Sequence, residues 1–309
     1  LQQDSHVAFA DRLTQVAAGV EKALAGFLAP QAREGEIARP ERLMAAMRHA
    51  VLGGGKRLRP FLVIEAARLL GRDMDHVMNA ACAVEVLHCY SLVHDDLPAM
   101  DDDDLRRGRP TVHVAFDEAT AILAGDALLT LAFELAATPH APEDAQVHLE
   151  LVRGLARAAG LGGMVGGQVL DLTAEGRYGD GPPGEAGIRT LQAMKTGALL
   201  AFSVEAGAIL GRATARERGA LAAYGKALGA AFQIADDVLD READEVAMGK
   251  RTAKDAGKGK GTLVDILGLP AARAQRDALA AEAIAALSGF GPQADILRDA
   301  ARFTAQRQT

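Results

Sequence analysis

Apolar side chains return every three to four positions through almost the whole chain, over 5–29, 40–52, 60–70, 75–97, 116–137, 143–160, 188–211, 214–240, 271–288 and 293–306. That period marks helices that turn one face to a core. Alternation of period two is hard to find, and no Asn-Gly hairpin signal occurs. Between the runs stand the breakers Gly53-Gly54-Gly55, Pro98, Pro110, Pro139, Pro142 and Pro182-Pro183. The pattern predicts an all-α bundle of about ten helices. The stretch 173–187, with five glycines and two prolines, reads as an interdomain linker or an interhelical loop. The segment 241–262, with six Lys/Arg and four Gly, predicts a mobile basic loop with too little apolar content for a packed helix.

Composition narrows the class. The 309 residues can bury one large core or two ordinary ones. Thirty-four Lys and Arg against 41 Asp and Glu give a net charge of −7, which argues against a general nucleic-acid binder. Aromatic content of 4% with no Trp leaves few platforms for stacking bases. Cys82 and Cys89 fall seven apart in a helical run. A helix rises about 10.5 Å over that spacing, too far for a disulfide, and two thiols make no zinc framework. Residues 1–30 hold no apolar segment behind a basic start, so no signal peptide is expected. The long apolar runs at 119–137 and 197–211 are broken by Asp126, Glu134 and Glu205, whereas a span needs roughly 20 nearly uninterrupted apolar residues. The expectation is a soluble, reduced, cytoplasmic protein without a membrane span.

Two acidic clusters carry chemistry. Six aspartates, Asp95, Asp96 and Asp101 to Asp104, crowd ten residues, followed by Arg106-Arg107. They repel one another at a predicted helix C-terminus, the end where the macrodipole also disfavours anions. The run reads either as a solvated turn neutralised by its arginines or as a Mg²⁺ site, since Mg²⁺ is shared between carboxylates and substrate phosphates. The second cluster, Gln233-Ile234-Ala235-Asp236-Asp237-Val238-Leu239-Asp240, ends another predicted helix. Asp236 and Asp240 share one face, with Gln233 one turn earlier on that stripe. Apolar neighbours surround these acids, and buried acids need partners. Two acidic helix ends suggest opposite walls of one Mg²⁺-diphosphate site. Such a site takes residues from both sides of 173–187, which makes that stretch an interhelical loop and 1–309 a single domain.

Cationic segments complete the set. Gly53-Gly54-Gly55-Lys56-Arg57-Leu58-Arg59-Pro60 resembles a phosphate-binding loop only superficially, since Arg57 stands where a Walker loop needs Ser or Thr. Its glycines still allow close backbone approach, and Lys56 and Arg59 supply donors; the plain alternative is a basic helix start. His88 shares a helix stripe with Asp95 and reads as a core histidine or a ligand. Lys195-Thr196-Gly197 interrupts a helical pattern, either as an ordinary helix start or as a break that turns carbonyl dipoles toward a cation. Lys250 and Lys260 fall in the basic loop, closing over phosphates or merely solvated.

These segments, with Gly167-Gln168-(two residues)-Asp171, closely resemble the short-chain trans-polyprenyl diphosphate synthases, nearest to the bacterial farnesyl diphosphate synthases. The resemblance spans about residues 40–270, with the motifs in the same order. It implies a helical bundle of isoprenoid synthase type around a central cavity, usually homodimeric, that condenses isopentenyl diphosphate with allylic diphosphates to farnesyl diphosphate. It also implies Asp95, Asp101 and Asp236 as main ligands of three Mg²⁺ ions, supported by Asp96, Asp237 and Asp240. Arg106, Lys195 and Lys250, with Gln233 nearby, would hold the allylic diphosphate, and Lys260 would approach it on closure. Gly55, Lys56, Arg59, His88 and Arg107 would serve isopentenyl diphosphate. The Lys195 and Thr196 carbonyls and Gln233 would face the allylic cation, and Tyr90 with Ser91 would floor the tail pocket and set chain length. The chain departs from the family after Lys260, where Gly261-Thr262-Leu263-Val264 replaces the usual Ser-Thr-Tyr-Pro. Geranylgeranyl and geranyl diphosphate synthases differ only in pocket depth. A terpene cyclase normally carries a different second metal motif, and a non-catalytic subunit has no need of intact acids.

Overall fold

The computed structural model describes residues 2–138, 145–178, 184–248 and 262–306. The chain forms two compact units, Leu1–Val152 and Arg153–Thr309. Both are helical, as the 3.6-residue period requires. The Gly- and Pro-rich 173–187 stretch falls inside the second unit, between two of its helices, and not at the boundary.

The first unit contains α1 (Gln2–Phe27), α2 (Glu41–Val51), α3 (Leu58–Leu69) and α4 (Met74–Asp95), then α5 (Val112–Ala115), α6 (Glu118–Ala137) and the start of α7 (Ala145–Ala159). In α4 every residue from Ala80 to Leu87 is buried, and all of them but Glu85 are apolar or small. A helix of that character belongs in the middle of a bundle, and α4 packs on α3 and most extensively on α6. Asp117 caps α6 by accepting a hydrogen bond from the Thr120 N–H at 2.7 Å. The weak strand signal conceals one ribbon: β1 (Leu105–Arg106) pairs antiparallel with β2 (Arg109–Pro110). Its two turn residues, Arg107 (φ 53°) and Gly108 (φ 74°), both take positive φ, as a tight two-residue hairpin demands. No alternation announces strands of two residues.

The second unit contains α8 (Met164–Ala174), α9 (Glu185–Gln192), α10 (Ala198–Leu210), α11 (Ala215–Met248), α12 (Leu263–Leu267), α13 (Leu269–Ala286) and α14 (Asp295–Gln306). A five-residue π-helical turn, Ala193–Gly197, joins α9 to α10. The long α11 packs on α10 and α13. Gly229 permits one close approach: a Cβ there would lie 3.2 Å from the Gly197 Cα. A core of Ile188, Ile234, Val238, Leu263, Val264 and Ala272 ties α9, α11, α12 and α13 together. Thr262 and Asp265 form a capping box at the start of α12.

Two expectations are corrected. The helix expected to end at Asp240 continues to Met248, because Arg241 to Met248 contains no Gly or Pro and consists mainly of good helix formers. The basic loop expected from 241 therefore begins at least eight residues later, and its remainder, 249–261, lies outside the described residues. The helix α8, absent from the periodic runs, forms across a Gly-containing segment. Glu118–Ala137 and Glu185–Leu210 are long and apolar enough to cross a membrane. Each is about half buried and interrupted by acids, the character of a core helix.

Candidate active site

In the first unit the acidic cluster is a chain reversal. Asp95 ends α4, and the next residues double back: the Asp101 N–H donates to the Asp95 carbonyl at 2.8 Å and the Asp103 N–H to the Asp96 carbonyl at 3.2 Å. Asp95 is half-buried, Asp96 is buried, and Asp101 to Asp104 are exposed. So many carboxylates at a helix C-terminus need a counter-charge, and the ribbon supplies it. Arg106 Nε donates to Asp96 Oδ1 at 2.6 Å, and its Nη2 reaches Asp103 at 3.3 Å. Burial pushes the Asp96 carboxyl up from its usual range, against the pull of Arg106.

The neighbouring arginine takes a different anion-binding element. Arg107 Nη1 donates to the Gly54 carbonyl, and a Cβ on Gly55 would lie 2.5 Å from that same Nη1. A side chain at that position would push the guanidinium aside. Gly54 and Gly55 also take φ of +82° and +132°, which residues with a Cβ rarely adopt. Arg109 closes on Gly53 and donates to His49 Nδ1 at 3.2 Å. His49, Gly53, Asp96, Arg106, Arg107 and Arg109 border a cleft of about 50 Å³, room for a few water-sized groups and not for a long apolar tail. His88 is held far below the ordinary histidine pKa, first by burial and then by the charges of Arg59, Arg107, Arg106 and Arg57. Its ring is neutral and lies among four arginines.

Tyr90 is buried in α4, its ring edge-on to His94 with centroids 5.7 Å apart. His94 Nε2 donates to the Ile122 carbonyl on α6 at 3.0 Å, and a Cβ on Gly125 would collide with the imidazole. Burial raises the Tyr90 phenol, with the charge of Asp95 as the second cause, so the tyrosine lies near the first acid of the cluster. Ser91, half-buried beside it, donates to the His88 carbonyl at 2.9 Å.

In the second unit the acids occupy the interior of α11, not its end. Asp236 is half-buried, Asp237 buried and Asp240 exposed. Asp237 accepts from Gln233 Nε2 at 3.0 Å and from Gln192 Nε2 at 2.7 Å. Burial pushes its carboxyl up, and the two amides partly offset the shift. Gln233 thus serves Asp237 one turn on, while Gln192, on α9, was not foreseen as its second donor. Lys195 and Thr196 lie within the π turn, where the helical hydrogen-bond register shifts, a feature frequent at functional sites. Lys195 Nζ is bonded to Asp171 Oδ2. A Cβ on Gly167 would collide with the Lys195 backbone. In the Gly167-to-Asp171 segment, glycine admits the π turn and aspartate anchors its lysine.

The first unit therefore gathers Asp95, Asp96 and Asp101 with Arg106, and gathers Gly55, Arg59 and His88 with Arg107; Lys56, exposed, follows Gly55 directly. The second gathers Lys195 and Thr196 on the π turn and Gln233, Asp236, Asp237 and Asp240 on the helix packed against it. Lys250 and Lys260 lie outside the described residues. Among the described residues no three His, Cys, Asp or Glu side chains form a ready-made metal cage. The donors still fit Mg²⁺: hard carboxylate oxygens only, one or two at a time, with phosphate supplying the rest. Cys82 and Cys89 are buried free thiols, each pushed up to about 12 by burial.

A family model described as polyprenyl synthetase matches residues 40–289. The farnesyl diphosphate synthase of Bacillus subtilis is 42% identical over 273 residues, 87% of this chain and 90% of the relative. That of Escherichia coli K12 is 46% identical over 233 residues, 75% of this chain and 77% of the relative. Among solved structures, an FPP/GFPP synthase from Zymomonas mobilis superposes with a TM-score of 0.86 at 44% identity, covering 97% of this chain and 99% of that one.

Proposed function

The chain belongs to the polyprenyl synthetase family, and from that membership we infer that it is a short-chain prenyltransferase making farnesyl diphosphate from isopentenyl diphosphate and the dimethylallyl and geranyl diphosphates. One observation carries the reading. Adjacent arginines on a two-residue hairpin serve different elements, Arg106 the acidic turn and Arg107 the glycine loop, as two diphosphates held side by side require.

Asp95, Asp101 and Asp236 would be the main ligands of three Mg²⁺ ions, with Asp96, Asp237 and Asp240 supporting them. When bound, Mg²⁺ neutralises charge on the leaving pyrophosphate. Arg106, Lys195 and Lys250 hold the allylic diphosphate, with Lys260 as a further cation for it. Asp96 orients Arg106, and Asp171 orients Lys195. Lys56, Arg59, Arg107 and neutral His88 hold isopentenyl diphosphate; a ring that carries a proton donor without a charge adds direction to a site already rich in cations. The allylic C–O bond breaks, the isopentenyl double bond attacks the resulting cation, and a proton leaves to the departed pyrophosphate. Carbonyl dipoles at Lys195 and Thr196, with the Gln233 amide, stabilise the cation, while the helical interior excludes water. Tyr90 stops the growing chain at C15. All 309 residues act as one enzyme, a cytoplasmic homodimer.

The test is direct. Purified protein, Mg²⁺, isopentenyl diphosphate and each allylic starter are incubated and the products resolved by length. C15 is expected from geranyl diphosphate. C20 or longer would displace the farnesyl assignment, and no elongation would overturn the reading.

A further inference from the structure

Arg57 stands inside the glycine-lysine-arginine segment, yet none of the substrate contacts above falls on it. Its side chain is 1% exposed. Nη1 donates to Glu85 Oε1 at 2.6 Å; Nη2 donates to Glu21 Oε2 at 2.5 Å and to the Val51 carbonyl at 2.5 Å. Glu21 belongs to α1, Val51 ends α2, Arg57 caps the start of α3, and Glu85 is buried in α4. One guanidinium thus joins the four helices around the glycine loop. Its bond to Val51 closes the neck of that loop from six residues away.

Two costs converge on this residue. Its backbone is left-handed, at φ 49° and ψ 38°, uncommon for a residue with a Cβ. Its ion pair with Glu85 is buried, and apolar replacements of such pairs are often at least as stable. The Nε atom, also buried, has no hydrogen-bond partner. Burial alone would lower the guanidinium pKa; Glu85 and then Glu21 overcome it, so the group stays charged. Local costs of this kind collect where function fixes a geometry, and here the loop they fix carries Lys56 and leads into Arg59.

We propose that Arg57 is a positioning residue for isopentenyl diphosphate: it locks the 53–56 loop so that Lys56 and Arg59 are presented beside Arg107 and His88. The proposal rests on the prenyltransferase reading above. Arg57 does not touch the substrate; it acts through the loop backbone.

Arg57→Met alone strands Glu85 as a buried unpaired charge and risks unfolding, so the test uses Arg57→Met combined with Glu85→Gln, alongside Arg57→Lys. In the double variant the KM for isopentenyl diphosphate rises about tenfold or more, the loss expected for a hydrogen-bonded charged group, while the allylic KM stays within about twofold. Amide hydrogen exchange at 53–56 speeds up about tenfold. Arg57→Lys keeps a charge for Glu85 but not the fork, and recovers thermal stability without recovering the isopentenyl KM. A double variant with lower thermal stability but unchanged exchange at 53–56 and unchanged KM values would make Arg57 merely structural and overturn the proposal. Were the wild-type chain to make no product, the prenyltransferase reading would fall, whereas exchange at 53–56 would still report whether Arg57 holds the loop.

Discussion

Between Asp95 and Asp104 the acids lie on a doubled-back turn that leaves Asp101 to Asp104 exposed, whereas Asp236 to Asp240 ride the interior of a long helix and range from buried to exposed. Their partners differ accordingly. The first set is balanced by a full charge, Arg106 on Asp96. In the second, the buried Asp237 is held by neutral amides, Gln192 and Gln233. At a helix C-terminus the macrodipole adds to repulsion between carboxylates, and only a cation offsets both. Inside a helix, where a single acid is buried, dipolar donors suffice and bring no competing charge. Each cluster thus commits one acid to holding its neighbours in place, and on the proposed function the others are left for metal.

The comparison breaks most visibly at its exposed and buried extremes. Asp101→Ala removes an exposed carboxylate, so activity should fall by about 10³-fold while the melting temperature stays within the small shift typical of surface substitutions. Loss of stability in parallel with activity would mean that the acidic turn is structural. Asp237→Ala should behave differently. It leaves two half-buried amides without their acceptor, which costs about 1–2 kcal/mol of stability, and activity falls by a smaller factor, about 10²-fold, as Gln233 drifts. Urea unfolding and steady-state rates on the same preparation check both; a stable Asp237→Ala protein would refute the positioning role of the amides.

How much of this was legible beforehand depended on whether the signal was local. Helical periodicity located α4, α6 and α11 because their apolar stripes repeat over many turns. The ribbon was not legible: two-residue strands carry no alternation, and only the Arg107-Gly108 pair hinted at a turn. Acids at 236–240 were misplaced to a helix end because a charge-rich 241–248 looked unfit for packing, although helix continuation needs only the absence of breakers. The interruption at Lys195 was visible, but its π geometry depends on Gly167 approaching from another helix. Gln192 and Asp171 gained their partners only through tertiary packing. Glu85 did leave a trace, as a lone acid in an apolar run, and such a residue demands a buried partner.

Two smaller effects sharpen the picture within the first unit. Tyr90→Ala should lengthen the product to C20 or beyond, at a cost of about 3–5 kcal/mol for the emptied core volume. An unchanged C15 product, read by chromatography, would place the floor elsewhere. His88→Asn bears on pH. Its folded pKa lies below the ordinary value, so as pH falls the unfolded chain takes up the proton first. Stability contributed by neutral His88 is complete above about pH 6.5 and is lost as pH drops toward the folded value. The Asn variant should therefore lose stability less steeply between about pH 6.5 and 5, by up to about 1.4 kcal/mol per pH unit. Parallel slopes for variant and wild type in urea titrations would contradict a neutral, arginine-ringed histidine.

The central claim is that both clusters serve one condensation. Pyrophosphate release from geranyl diphosphate, followed with and without isopentenyl diphosphate, tests it most directly. The account predicts one pyrophosphate released per isopentenyl diphosphate consumed, and loss of that release in Asp101→Ala and Asp236→Ala alike. Release that proceeds without isopentenyl diphosphate, or that survives either substitution, would contradict it.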